Sequence, residues 1–425
     1  MEVISETIKQ MNGYSLHIIK TDKYKTNTFV WKMKAPLNKD VVTKRALLPY
    51  VLQSNSENYS TTGKLRSYLD ELYGATLFVD LAKKGEYHVI TVSMEIANEK
   101  FLADNTPLLK KALQFLADIL TKPNANGHSF DPETVEKEKR TLKQRIQSVY
   151  DDKMRYSSFR LVEEMCREEP YSLHVHGQKE EVDHITPENL YEYFVTAFNE
   201  DELDLYVVGD VDEQEVYEYA HEILQLKERT PMSVNSVRYP KKENPHIVRE
   251  EQDVKQGKLN IGYRTNIKYG DPDYYALQVF NGIFGGFSHS KLFINVREKA
   301  SLAYYVASRL ESHKGLMMIM SGIDNKNYDQ AINIINAQME AMKNGDFSDE
   351  ELIQTKAVIK NQLLETIDTS RGVIEVLYHN VVSHKDVSLK EWLDKMDHVS
   401  KEEINAIAHK IHLDTIYFLT GKGEK

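Results

Sequence analysis

The chain repeats its own pattern, weakly but in order. Lys64-Leu65 opens a helix-like segment ending at Tyr73-Gly74-Ala75-Thr76-Leu77, and Lys291-Leu292 opens another ending at Ala300-Ser301-Leu302-Ala303-Tyr304, an offset of 227 residues. KKGEYHVITVSM (83–94) is then matched by HKGLMMIMSGI (313–323), and FDPETVEKEKRTLKQRIQSVYDD (130–152) by FSDEELIQTKAVIKNQLLETIDT (347–369). DHITPENL (183–190) parallels DHVSKEEI (397–404), and LDLYVVGDV (203–211) parallels DTIYFLTGKG (414–423). Five collinear pairs point to two copies of one fold, over about 1–230 and 245–425. At 425 residues the chain also exceeds what one core ordinarily serves.

Each half mixes strand and helix patterns. His88, Ile90, Val92 and Met94 alternate with more polar neighbours, the period of a half-buried strand. Leu109, Leu113, Leu116 and Leu120 form an apolar stripe at helical spacing. Asp131 and Ser348 stand before acidic residues at the two matched helix starts, where a side-chain cap and the helix dipole both favour them. The expected class is α+β, with helices packed on a largely antiparallel sheet in each of two homologous domains. Between them, Leu226 to Gln252 carries Pro231, Pro240 and Pro245 among polar residues and reads as a surface linker. Lys241-Lys242 reads as a solvated charge pair within it.

Composition narrows the function classes. A net charge of −11 with no dominant Lys/Arg run argues against nucleic acid as the main partner. No apolar run approaches the roughly 20 residues that span a bilayer. MEVISETIKQMNGYS lacks a basic segment followed by an apolar one, so no signal peptide is expected, and the expected location is cytoplasmic. The single cysteine, Cys166, excludes a disulfide framework and a thiolate-rich metal site.

Several chemical motifs fail on inspection. His221-Glu222 begins a near-HExxH, but Gln225 stands where the second histidine belongs, and a solvated helix face is expected there. His409 and His412 lack an evident third ligand and suit a helix end. His174-Val-His176 puts two rings on one side of an extended segment and reads as a structural loop. There is no GxSxG, and Cys166 lies in EEMCREE, whose negative charge disfavours a thiolate. The cluster Gly282, Gly285, Gly286 matches neither GxxxxGK[ST] nor GxGxxG.

What remains is NGIFGGFSHSKLFINVREKASLAY (281–304), ending in Arg297 and Tyr304. With YYALQVFNGIFGG (274–286), SKLFINVREKASLAYYV (290–306) and HGQKEEVDHITPENLYEYF (176–194) leading to VVGDVD (207–212), it resembles the pitrilysin/insulinase (inverzincin) zinc peptidases over nearly the whole chain. The resemblance implies two α/β-layered domains forming half of a clam-like chamber. It also implies that Arg297 and Tyr304 reach a peptide substrate, Arg297 as a clamp and Tyr304 as a donor to the tetrahedral intermediate. Gly282, Gly285 and Gly286 would allow a tight backbone turn before the helix, and Gly285, Gly286 and His289 are further candidates for contact with the peptide. On the residues alone, Arg297 could equally be a surface ion-pair partner of Glu298, Tyr304 a core aromatic, and His289 an exposed helix residue.

An active family member carries HxxEH on a helix and a distal glutamate on a later one. Two imidazoles at i and i+4 share a helix face for zinc, and the i+3 carboxylate serves as base. Here ALLPYVLQSNSENYST (46–61) puts Pro49 and Gln53 at the histidine positions and Leu52 at the glutamate. Glu138 matches the start of the later helix, so Arg145 falls at the distal ligand. Proline and leucine have no donor atom, and arginine is a cation. No metal is expected in this chain; zinc is expected in a partner.

The resemblance therefore implies a non-catalytic subunit of a heteromeric zinc peptidase, inactive alone, paired with a homologous subunit bearing HxxEH. Two-subunit bacterial members and the mitochondrial processing peptidase divide labour in this way. The alternative is a non-proteolytic peptide-binding or assembly protein, with a self-dimer in place of the partner. Some bacterial family members are associated with modification of elongation factor P, and the overall pattern is compatible with that group.

Overall fold

The computed structural model describes residues 4–103, 106–234 and 242–422. The first half runs β1 (Glu6–Met11), β2 (Tyr14–Lys20), β3 (Thr26–Pro36), α1 (Val42–Ser54), α2 (Thr62–Glu71), β4 (Thr76–Lys84), β5 (Tyr87–Ala97), α3 (Leu108–Thr121), α4 (Pro132–Asp151), α5 (Lys153–Met165), α6 (Pro187–Glu200), β6 (Glu202–Gly209) and α7 (Glu213–Ile223). The second runs β7 (His246–Gln252), β8 (Gly257–Arg264), α8 (Tyr274–Asn281), β9 (Ala303–Glu311), β10 (Leu316–Ile323), α9 (Tyr328–Lys343), α10 (Asp349–Thr366), α11 (Ser370–Ser383), α12 (Leu389–His398), α13 (Lys401–Lys410) and β11 (His412–Gly421).

The repeat survives in the sheets. The first is ordered β1-β2-β6-β3-β5-β4 and the second β7-β11-β8-β10-β9, so five strands share one order and β1 is an addition. Each sheet is antiparallel except at one equivalent junction, β2 with β6 and β7 with β11. The caps also match: the Asp131 carboxylate accepts from Thr134 N at 2.9 Å, and Ser348 forms a capping box with Glu351. The expected α+β class with two homologous domains is the observed one.

Strand β5 departs from the half-buried pattern. Its burial is nearly continuous from Tyr87 to Ile96 and includes Ser93, so its alternation understates how thoroughly it is covered. Helix α3 behaves as expected: the four leucines are buried, joined by Leu108, Ala112, Phe115 and Ile119.

The two compact units are not the two halves of the sequence. One is built from Met1–Ser148, Leu173–Asn235 and Ser370–Ile374, the other from Val149–Ser172, Ser236–Thr369 and Glu375–Lys425. Residues 149–172 lie within the 1–230 half yet belong to the second unit, because α5 packs on β8 and β11. Gly262 on β8 makes room for it: a Cβ there would lie 2.6 Å from the Met165 Sδ. Tyr156 and Tyr417 both donate their hydroxyls to Glu250 at 2.7 Å, tying α5 to β7 and β11.

Beyond α5, Glu169 is buried against Arg264 and Lys314, with Lys314 Nζ at 2.6 Å. Arg264 also reaches Asp414 at 3.0 Å and donates to the Met165 carbonyl at 2.9 Å. Burial pushes the Glu169 carboxyl up, but the hydrogen bonds from Arg264 and Lys314 outweigh it and hold the group below its usual range.

The linker is shorter than its composition suggests. His246–Gln252 is strand β7, hydrogen-bonded in parallel to β11, despite its charged sequence; an edge strand tolerates charge on its exposed face. Lys242 is not a free solvated charge: its Nζ pairs with buried Asp414 at 2.7 Å. Pro240 and Lys241 lie outside the described residues.

Candidate functional site

Helix α1 carries the first three candidate positions. Pro49 sits inside it, removing a backbone donor where a histidine would stand in a zinc peptidase. Leu52 is 2% exposed and belongs to the apolar core of the first unit. Gln53 turns its amide to the sheet and donates to the Leu77 carbonyl at 2.9 Å. The helix is anchored from below by Arg45, buried against Asp201, the Tyr193 hydroxyl at 3.0 Å, and the carbonyls of Met33 and His88 at 2.7 and 3.2 Å.

The fourth position comes from α4, and the structure brings it to α1. Arg145 Nη1 donates to the Tyr50 hydroxyl at 2.9 Å, and the guanidinium carbon lies 4.1 Å from the Tyr50 ring centroid. About one turn further along α1 and two turns earlier on α4, Ser54 donates to buried Glu138 at 2.8 Å, and Lys137 pairs with the same carboxylate at 3.2 Å. Tyr50 was not legible as a participant. Its only signal is its place beside Pro49 in the degenerate motif.

This donor set does not fit zinc. Pro49 and Leu52 offer no atom, Gln53 has a neutral amide in place of an imidazole and donates it to the Leu77 carbonyl, and Arg145 brings positive charge to the place of an anionic ligand. Among the described residues no group of three His, Cys, Asp or Glu could hold a metal ion. His174 is held down to about 3 by burial and then by the neighbouring His176, and His176 is lowered by burial and then by Arg145. Both imidazoles stay neutral at pH 7. His221 is an exposed helix residue stacked near Tyr217, and His409 caps the Lys343 carbonyl at 3.0 Å.

The second half presents its candidate residues differently. After α8 the backbone widens into two π-helical stretches, 282–286 and 293–299, a geometry that recurs at functional segments. Gly285 and Gly286 do not make a left-handed turn. They are there for closeness: a Cβ on Gly285 would lie 2.7 Å from both Leu292 Cδ1 and Ser308 Oγ, and one on Gly286 2.9 Å from Asn281 Nδ2. His289 hydrogen-bonds Thr355 Oγ1 at 2.9 Å and stacks on Phe287.

Arg297 lies on the second π stretch, 43% exposed, over the Phe293 ring at 4.8 Å and 3.9 Å from Glu298. Tyr304 is 68% exposed, so it is not a core aromatic. It sits on edge strand β9, where the register against β10 slips between Ala303 and Tyr305, leaving Tyr304 as the extra residue. Such a bulge re-aims a side chain away from the ladder.

Comparison with known proteins shows the family. Residues 184–359 match the profile described as "Peptidase M16 inactive domain". Over 421 residues, and 99% of each chain, the sequence is 55% identical to the "Probable inactive metalloprotease YmfF" of Bacillus subtilis. The chain belongs to the M16, or pitrilysin/insulinase, peptidase family. As an inactive M16 homologue it also matches the crystal structure of a conserved protein from Enterococcus faecalis V583, at 35% identity and a TM-score of 0.92 over 99% of each chain. A more distant M16 relative is the yeast "Mitochondrial-processing peptidase subunit beta", 25% identical over 72% of this chain and 68% of that one. Among the described residues no helix is long and apolar enough to cross a membrane.

Proposed function

We propose that this chain is the non-catalytic subunit of a heteromeric zinc metallopeptidase. A homologous partner bearing HxxEH supplies zinc and the general base, and this chain contributes peptide binding and transition-state contacts through Arg297 and Tyr304. The observation that carries the reading is Tyr304: a tyrosine put out of the ladder by a bulge and left 68% exposed serves no packing role. The name of the yeast relative, a peptidase subunit, supports division of labour between chains. A phenol donor and a guanidinium suit a developing oxyanion and the substrate backbone. The proposed location is the cytoplasm.

The test is co-expression with HxxEH-bearing homologues, followed by a peptide-cleavage assay of the purified complex. Tyr304→Phe is expected to lower turnover on the order of 100-fold, the usual effect of removing one oxyanion donor. Unchanged turnover in both Tyr304→Phe and Arg297→Ala sinks the trans-acting role.

One observation favours a second reading, a non-proteolytic peptide-binding or assembly protein in a protein-modification pathway. Gln53 and Arg145 are not idle remnants but hold new contacts, to Leu77 and Tyr50. A stable homodimer that binds peptides, with no HxxEH partner co-purifying, would select this reading over the first.

A further inference from the structure

Arg145 inverts the charge of the family's distal ligand position, and most of its donors are unused. Its Nη1 donates to Tyr50 Oη at 2.9 Å, and stacking on the ring fixes the plane of the guanidinium. Nε and Nη2 have no acceptor, and no acid lies within ion-pair distance, among the described residues. Tyr50 is 6% exposed, and its hydroxyl, having accepted from Arg145, finds no acceptor for its own proton among the described residues. Burial raises the Tyr50 pKa, with Arg145 opposing, so that proton is retained.

Two donor groups thus stand side by side, one cationic and one neutral, at a distance that a single carboxylate bridges. The surroundings do not cancel them. Glu138 is already engaged by Ser54 and Lys137, His176 is neutral, and Asp80, which bears on Tyr50 and His176, makes no ion pair with Arg145 among the described residues. Arg145 itself is exposed, so a ligand reaches it from solvent.

We propose that Arg145 and Tyr50 form a receptor for a carboxylate of a bound peptide, an acidic side chain or a C-terminus. The place where active relatives bind a cation has become one that binds an anion. This rests on the peptide-handling reading above, but not on a partner or on hydrolysis.

The experiment titrates the full chain with three tripeptides: acetyl-Gly-Glu-Gly-amide, acetyl-Gly-Gln-Gly-amide, and acetyl-Gly-Gln-Gly with a free C-terminus. NMR follows the Arg145 Nε–H and the Tyr50 ring. Saturable shifts are expected with one or both carboxylate-bearing peptides, which also tells side chain from terminus, and none with the neutral peptide. Arg145→Gln should weaken binding about tenfold or more while lowering Tm only slightly, and Arg145→Lys should recover part of the binding. Tyr50→Phe, which keeps the stack, should weaken it less. Equal shifts from the neutral peptide, no saturable shift from any, or wild-type affinity in Arg145→Gln each overturn the proposal. Carboxylate binding without turnover in any partner complex would leave this receptor standing and remove the peptidase-subunit reading.

Discussion

The α1–α4 region and the 282–305 segment are the two places where the family signature falls, and they are built in opposite ways. At the degenerate metal-motif positions, Leu52 is absorbed into the core and Gln53 onto the Leu77 carbonyl, while Arg145 of α4 stacks on Tyr50 with its remaining donors open to solvent. In 282–305, widened backbone and a bulged edge strand keep Arg297 and Tyr304 toward solvent. Groups absorbed into packing stabilise the fold. Groups held out by irregular backbone contribute little to packing, and under the proposed function their use is binding.

Leu52→Glu breaks the comparison most severely if the absorbed side is truly core. It returns the family's carboxylate to a 2%-exposed site with no partner, and about 3–5 kcal/mol of stability should be lost in a urea titration. A near-neutral result would mean that the position still opens toward a cleft.

Acid probes the same side. Burial and then Arg45 hold the His88 imidazole well below its usual pKa. An unfolded chain therefore takes up a proton that the folded one refuses, so stability present above pH 6.5 falls as pH drops. The loss should set in as pH falls through 6.5, and a His88→Asn variant should show a flatter pH dependence of stability in urea titrations run from pH 7 to 5.

Gly285→Ala tests whether the other segment is tightly built or merely loose. Its Cβ would crowd Leu292 and Ser308 at 2.7 Å, and about 1–2 kcal/mol should be lost by thermal melting. Tyr304→Phe, in contrast, should leave Tm unchanged, since an exposed hydroxyl supports nothing in the fold. Arg145→Gln should cost less than about 1 kcal/mol, the worth of an exposed cation–π contact.

The sequence made the repeat, the α+β class and the degenerate motif legible because all three are local patterns repeated at fixed spacing. The structure sets Arg145 of α4 beside Tyr50 of α1. The sequence did not reveal why Tyr304 is exposed, since a bulge depends on how β9 registers against β10. Nor did it reveal Lys242, because a lysine in a proline-bearing stretch looks solvated until Asp414, 172 residues away, is placed beside it. EEMCREE is a charged stretch by composition, yet Glu164, Cys166 and Glu169 are all buried within the second unit.

That last arrangement has a consequence for synthesis. Helix α5 leaves the ribosome early, but β11, one of its two principal supports, follows roughly 250 residues later. At the usual ~5–20 residues per second, α5 waits about 10–50 s with the face meant for the sheet uncovered. During that interval it is the segment of the nascent chain most in need of a chaperone. A chain stalled near residue 400 should be cut by protease around 153–172, where the finished protein resists.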